Sequence, residues 1–349
     1  MGDSSGGRPL HSSFRDLAKS RRKYLSVPPL RRLAYLALVL GFAQVVFGAV
    51  VRITGSGMGC GDSWPDCLGS LTPSNSSPGL LIEISHRYGA LALSLSVLAL
   101  IVAAFLSRKT SGVGGPGGVL RPAVWAGVLV LAAAIFGAIT VKMELHALIV
   151  VIHLAIAMTL LAVIVVALVR AGGLGADNVR VGTAPRTSRA GRIAVALTFA
   201  VLVFGALTAN VRGAPLACQG FPWCRSIEGG STPIAIHVTH RVIAFMVLGH
   251  LIGMTIGSRK RKEPRVVRTA VSLALGLVVL QVLIAAGMVE MHLPAMLRSV
   301  HQGVGTALWI TVVAIAALAG GRGVALAPPD VVRDSSSRGA FATPEGVST

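Results

Sequence analysis

Acidic residues are scarce in this 349-residue chain: Asp and Glu together number 13, against 32 Lys and Arg. Charged side chains make up 13% of the sequence and aromatic ones 5%, where a soluble domain carries roughly 25% charged residues. Cysteine occurs only four times. So little charge beside 53% hydrophobic residues excludes a soluble enzyme, a coiled coil and a disordered chain. The 41 glycines and 17 prolines lie scattered through apolar runs without a G-X-Y period, which excludes a collagen-like rod. What remains is an integral membrane protein. Its net charge of +19 then belongs to loops facing anionic lipid, so membrane lipid and no nucleic acid is the expected partner.

A bilayer core needs about 20 apolar residues in helix. Eight such runs lie near 33–51, 79–106, 122–141, 147–170, 193–211, 233–257, 269–289 and 297–320. Cations mark the side of each connection. Arg15 to Arg32 precede span one, Arg108, Lys109 and Arg121 follow span two, Arg180 to Arg192 follow span four, and Arg259 to Arg268 follow span six. The positive-inside rule makes that side cytoplasmic, with both termini inside and the loops 52–78 and 212–232 outside. The expected division is a basic tail (1–32), a four-helix module (33–172), a linker (173–192), a second four-helix module (193–320) and a disordered end (321–349).

The two outer loops hold every cysteine. Cys60 and Cys67 sit in GCGDSWPDC, and Cys218 and Cys224 sit in ACQGFPWC. On an oxidising face the natural reading is one local disulfide per loop. A zinc site is the rival, though the spacing is not CxxC and the loops carry no paired histidines. The halves also repeat. Cys60 and Cys218 are 158 residues apart, His86 and His240 154, His153 and His301 148, and SHRYGA rhymes with THRVIA. The fold class is therefore all-α: eight transmembrane helices forming two pseudo-twofold-related four-helix bundles. An even number of spans per repeat keeps both repeats in the same orientation.

An ionisable side chain in hydrocarbon costs several kcal/mol unless paired or coordinated. His86, His153, His240 and His301 each fall a few residues into an even-numbered span, roughly 6–12 Å deep at 1.5 Å per residue. Two imidazoles at one depth on two helices can grip a flat metal macrocycle from both faces. The alternative is that each histidine bonds a neighbouring helix. Two imidazoles alone leave a bare metal ion poorly coordinated, whereas a porphyrin brings four nitrogens of its own. The modules differ at one place: Glu83 stands three residues before His86, and His237 three before His240. A carboxyl there suits proton transfer; the alternative is an ion pair with Arg52 or Arg87. Arg52, Arg87 and Arg241 are candidates to bind propionates or to snorkel to the interface. Trp64 and Trp223 are expected at the membrane interface, and Gly41 and Gly48 are candidate close-packing positions.

VRITGSGMGCGDSWPDC after span one, EISHR in span two, His153 in span four, the Cys218/Cys224 loop, IHVTHR in span six and His301 in span eight together resemble haem A synthase over about residues 33–320. EISHR carries Ile and Ser where relatives often have an aromatic residue. The resemblance implies a bacterial plasma-membrane enzyme that oxidises the C8 methyl of haem O to the formyl of haem A by successive hydroxylations, for assembly of aa3-type oxidases. It implies that His240 and His301 ligate a haem b cofactor, and that His86, His153 and Glu83 form the site of the haem O substrate. Haem O synthase and oxidase assembly factors would be its partners. A di-haem b electron-transfer cytochrome, or a haem carrier, would share the same four histidines.

Overall fold

In lipid every backbone N–H and C=O must find its partner within the chain, so spans of this composition fold as helices. The computed structural model describes residues 27–70, 77–176 and 183–320; the expected basic tail and the expected disordered end lie largely outside them. Among the described residues eight helices are long and apolar enough to cross a membrane. They are α1 (Val27–Ile53), α2 (Pro78–Leu106), α3 (Leu120–Lys142), α4 (Ala147–Arg170), α5 (Pro185–Asn210), α6 (Ser231–Lys260), α7 (Arg265–Glu290) and α8 (Ala295–Gly320). At 1.5 Å per residue they are about 35–45 Å long, so their ends reach past a roughly 30 Å hydrocarbon layer.

One boundary differs from expectation. The apolar run of the fifth span starts at Ile193 because Arg186, Arg189 and Arg192 interrupt it, yet α5 begins at Pro185. Proline suits the first helical position, where no N–H is needed. Buried Glu263, from the α6–α7 turn, accepts hydrogen bonds from the Ala184 N–H and the Thr187 hydroxyl, with Arg261 Nε 3.3 Å from its carboxylate. A carboxylate satisfies the free N–H groups and the positive dipole end of a helix start. Residues 185–192 of the stretch expected to be a linker are therefore helical.

Packing repeats along the chain. α1 packs on α2, α2 on α3, α3 on α4 and α4 back on α1, and α5 to α8 close a second ring in the same order. Between the rings α4 meets α8 and α5, and α1 meets α8. Local geometry recurs with it. Gly55 and Gly213, each with positive φ, introduce the one-turn helices Ser56–Met58 and Ala214–Leu216. The short α3–α4 and α7–α8 connections both carry two successive left-handed residues, Glu144 and Leu145 in one, His292 and Leu293 in the other.

Helices in lipid gain no hydrophobic drive from meeting one another, so close contact and interhelical hydrogen bonds hold them. Gly41 is such a contact, since a Cβ there would lie 2.8 Å from Leu161. Gly191 on α5 would bring a Cβ within 3.2 Å of Ala316 on α8. Between the rings Trp309 of α8 is 2% exposed and donates its indole N–H to the Met158 carbonyl of α4 at 2.8 Å. Trp309→Ala is expected to cost about 3–5 kcal/mol, the usual price of a large aromatic cavity. Trp309→Phe, which loses the hydrogen bond and part of the ring volume, should cost less, about 1–3 kcal/mol. Denaturation of the detergent-solubilised protein measures both, and equal losses would show that the indole N–H carries the contact.

Candidate functional site

At one end of the bundle the two disulfide loops cover the starts of α2 and α6. Cys60 bonds Cys67, and Cys218 bonds Cys224, with Cα–Cα separations of 4.8 and 4.9 Å. The second loop adds a short antiparallel pairing, Cys218–Gln219 with Ser226–Ile227. Trp64 and Trp223 project from these loops, 44% and 80% exposed, as side chains meant for the membrane interface do.

The two arginines beside the candidate ligands anchor those loops. Arg87 donates to the carbonyls of Ser63 (2.9 Å) and Asp66 (2.6 Å) and pairs with Glu83. Arg241 donates to the carbonyls of Cys218 (2.7 Å) and Gly220 (2.8 Å). Several donors held in one planar fork make arginine apt for stitching a loop to a helix. Of the two alternatives for Glu83, the structure contains the ion pair. Its Oε2 also accepts the Cys60 N–H at 2.8 Å, and the side chain is buried. His237, its counterpart, is buried too and donates from Nδ1 to the Ala214 carbonyl at 2.8 Å. Both positions thus tie a helix to its loop, one through an acceptor and the other through a donor.

The four histidines lie one helical level below. They stand six to nine residues past the first residues of α2, α4, α6 and α8, roughly 9–14 Å along each axis. His86 is within electrostatic range of His153, and His240 of His301, so the sequence pairs are spatial pairs. All four are half-buried. Three lie against a glycine of a neighbouring helix: an added Cβ would sit 3.1 Å from His86 Cε1 at Gly48, 3.4 Å from His153 Cε1 at Gly137, and 2.9 Å from His240 Cε1 at Gly205.

Their polar partners differ. His240 Nδ1 donates to the Val201 carbonyl at 3.0 Å. His86 meets the side-chain amide nitrogen of Gln44, 3.0 Å from Nδ1 and 3.3 Å from Nε2. His301 Nδ1 and His153 Nδ1 are buried without a hydrogen bond. Orphaned imidazole nitrogens are costly in a packed interior. Among the described residues no group of three or more His, Cys, Asp or Glu could hold a bare metal ion. Paired imidazoles, glycine-lined rings and orphaned nitrogens fit a metal macrocycle that needs only axial ligands.

Arg52 donates to the Ala209 carbonyl at 3.4 Å and is an electrostatic neighbour of Arg298 on α8. Neither makes an ion pair with a carboxylate among the described residues. His146 and His292 are exposed at helix connections, and His250 donates to the Ala190 carbonyl away from the pairs. Gln44, Gly137, Gly205 and Arg298 escaped the reading from sequence. A glutamine amid an apolar span was the available signal, because such a residue must find a polar partner.

A family model described as a cytochrome oxidase assembly protein, COX15-CtaA, matches residues 31–313. The chain is similar to a protein named heme A synthase from Lysinibacillus sphaericus, at 32% identity over 274 residues, 72% of this chain and 82% of that one. It is similar to the heme A synthase of Bacillus mycoides, at 28% over 271 residues, 75% and 81% of the two chains. A third relative, the heme A synthase of Alkalihalophilus pseudofirmus, is 29% identical over 222 residues, 61% and 71%.

Gly205→Val should push the His240 ring aside, and if that ring is an axial ligand the purified protein should retain haem at least about tenfold less well. Gly249→Val, where an added Cβ meets nothing within 4 Å, serves as the control. Equal haem content in both would remove the glycine contact from the site. Cys60→Ser should lower stability by about 2 kcal/mol for so short a loop, seen as a lower melting temperature in detergent.

Proposed function

Because the chain belongs to the COX15-CtaA family of cytochrome oxidase assembly proteins, we propose that it is a haem A synthase, a multi-pass membrane oxidoreductase that converts haem O to haem A. The observation that carries this reading is the pair of imidazole pairs, of which only the first has a carboxylate, Glu83, one turn from a ligand histidine. A simple electron relay has no need of that difference.

In this reading His86 and His153 hold haem O, and His240 and His301 hold a resident haem b. When bound, the haem b iron supplies one-electron redox chemistry and so a path for electrons leaving the substrate. Oxidation of the methyl to the formyl, with water as the oxygen source in the balance, removes four electrons and four protons. Successive hydroxylations lead to a gem-diol that loses water. His86 and His153 fix the macrocycle, which brings its C8 edge to one place in the module. We assign Glu83 proton acceptance in addition to its ion pair: Arg87 and the Cys60 N–H engage one lone pair on each carboxylate oxygen, which leaves a second on each free. Arg52 and Arg298, two cations that pair with no carboxylate among the described residues, are the propionate contacts the site favours. Arg87 and Arg241 act differently, by holding the disulfide loops down as lids that exclude water from the pockets. The cation distribution supports a reading in which these lids lie on the outer face of a bacterial plasma membrane, and in that reading the product serves assembly of an aa3-type oxidase.

Expression in a host that makes haem O but no haem A tests this reading. Haem A is expected in the acid-acetone extract only when this chain is present. Glu83→Ala should keep its bound haem yet accumulate haem O or a hydroxylated intermediate, with turnover down by about a hundredfold or more, typical for loss of a proton-transfer group. Normal haem A from Glu83→Ala would take the catalytic role from Glu83. Permanent haem b in both modules would favour an electron-transfer cytochrome.

A further inference from the structure

His86 and His240 are repeat-related, and each lies against a glycine of the first helix of its module, Gly48 or Gly205. The register that matches Gly48 with Gly205 also matches Gln44 with Val201. At this one position the two modules present opposite chemistry to the ring. The Val201 carbonyl can only accept, so His240 carries its proton on Nδ1 and keeps the Nε2 lone pair free. The Gln44 amide nitrogen lies 2.8 Å from the His86 backbone carbonyl as well as 3.0 Å from His86 Nδ1. A carbonyl oxygen only accepts, so the group facing it is the NH2 end; its second proton is then directed at the imidazole.

A second position changes in step with the first. A Cβ at position 89 would clash with the Gln44 Oε1, so glycine there leaves the amide room to hold this position. Within the matched segments SHRYGA and THRVIA, Gly89 corresponds to Ile243. The first module thus has glutamine with glycine, and the second has valine with isoleucine.

A histidine that donates its second N–H to an acceptor becomes a more basic and better oriented metal ligand. A donor aimed at the ring does the reverse: a neutral imidazole has one unprotonated nitrogen, and the Gln44 amide nitrogen lies within hydrogen-bonding distance of both Nδ1 (3.0 Å) and Nε2 (3.3 Å), so in either tautomer it competes for the lone pair that iron would take. We propose that Gln44 is a positioning residue that competes with iron for the His86 lone pair. It thereby makes the first module a site that releases its haem, while the second, with Val201 in the same place, retains its own. This rests on the reading above, in which His86 is a ligand of haem O. It answers a need of that reaction: substrate and product must exchange at every turnover, whereas the resident group must stay.

The test is transfer of haem from the purified full-length protein to apomyoglobin, with haem O and haem b separated by chromatography at each time point. Gln44→Leu removes the donor, and Gln44→Glu replaces it with an acceptor of the same size. Both are expected to slow haem O loss at least about tenfold, the usual scale for partners of a metal-ligating histidine, and to strengthen the low-spin bis-imidazole signal of haem O. Haem b loss should not change. The transplant Val201→Gln with Ile243→Gly should speed haem b loss by a similar factor. A merely structural role for Gln44 predicts faster haem O loss in its variants, so unchanged or faster loss overturns the proposal, as does unchanged haem b loss in the transplant. His86→Ala separates the two failures. If it leaves haem O retention intact, the assignment of His86 falls and the proposal with it. If it abolishes retention while the Gln44 variants behave as the parent, the proposal alone falls.

Discussion

An imidazole sunk a turn or two below the headgroups has no water to bond, and every neighbour that could satisfy it sits on another helix. That constraint organises this molecule. A polar ring in hydrocarbon is tolerable when coordinated or hydrogen-bonded, so each histidine-bearing helix must stand next to a second one at matching depth. Rings of four helices meet the requirement, with α2 and α4 facing across one module and α6 and α8 across the other. Glycines at 48, 137 and 205 let the neighbouring helices come close enough for the imidazoles to lie against backbone. The Trp309 to Met158 hydrogen bond then fixes one ring of helices against the other.

The loops follow from the same constraint. A pocket for a large flat group must be closed from water, yet a loop of nine or so polar residues has little hydrophobic drive to stay closed. Here it is held three ways: by a disulfide, by an arginine fork from the helix beneath, and by a charged contact with the third helix of its module. That last contact is inverted between modules, Lys142 with Asp62 in the first and Glu290 with Arg225 in the second. Exposed pairs of this kind contribute little to stability. The arginine forks, each with several carbonyls in reach, carry more of the attachment.

The two rings of helices share a packing order and a loop pattern, and they differ at a few polar partners beside the imidazoles. Glu83 faces His237 across the repeat, and Gln44 faces Val201. Each difference substitutes one hydrogen-bonding partner for another at a contact between a helix and its neighbour. In the proposed reading each alters what the nearby imidazole pair can do, by supplying a proton acceptor in one case and a donor to the ring in the other. Two sites built alike are then given different work, one with chemistry and exchange, the other with retention.

The amino-acid sequence by itself determined the number of spans, the pairing of cysteines within each loop and the four-histidine pattern. Each of these is written in composition or in spacing along the chain: apolar length, a separation of six or seven residues, depth from a helix start. It did not reveal that α5 starts at Pro185, because the carboxylate that supports this start, Glu263, arrives from a turn some eighty residues on. Nor did it separate the fates of the arginines. Arg52, Arg87 and Arg241 look alike in sequence, yet two are spent on loop carbonyls and one stands beside Arg298. The same holds for Gln44, whose meaning depends on Gly89 leaving it room and on His86 lying within 3.0 Å. Hydropathy and periodicity report which face of a helix is buried. Only the packing of one helix on another decides which polar atom meets which, because hydrogen bonds act over distances far shorter than the width of a helix.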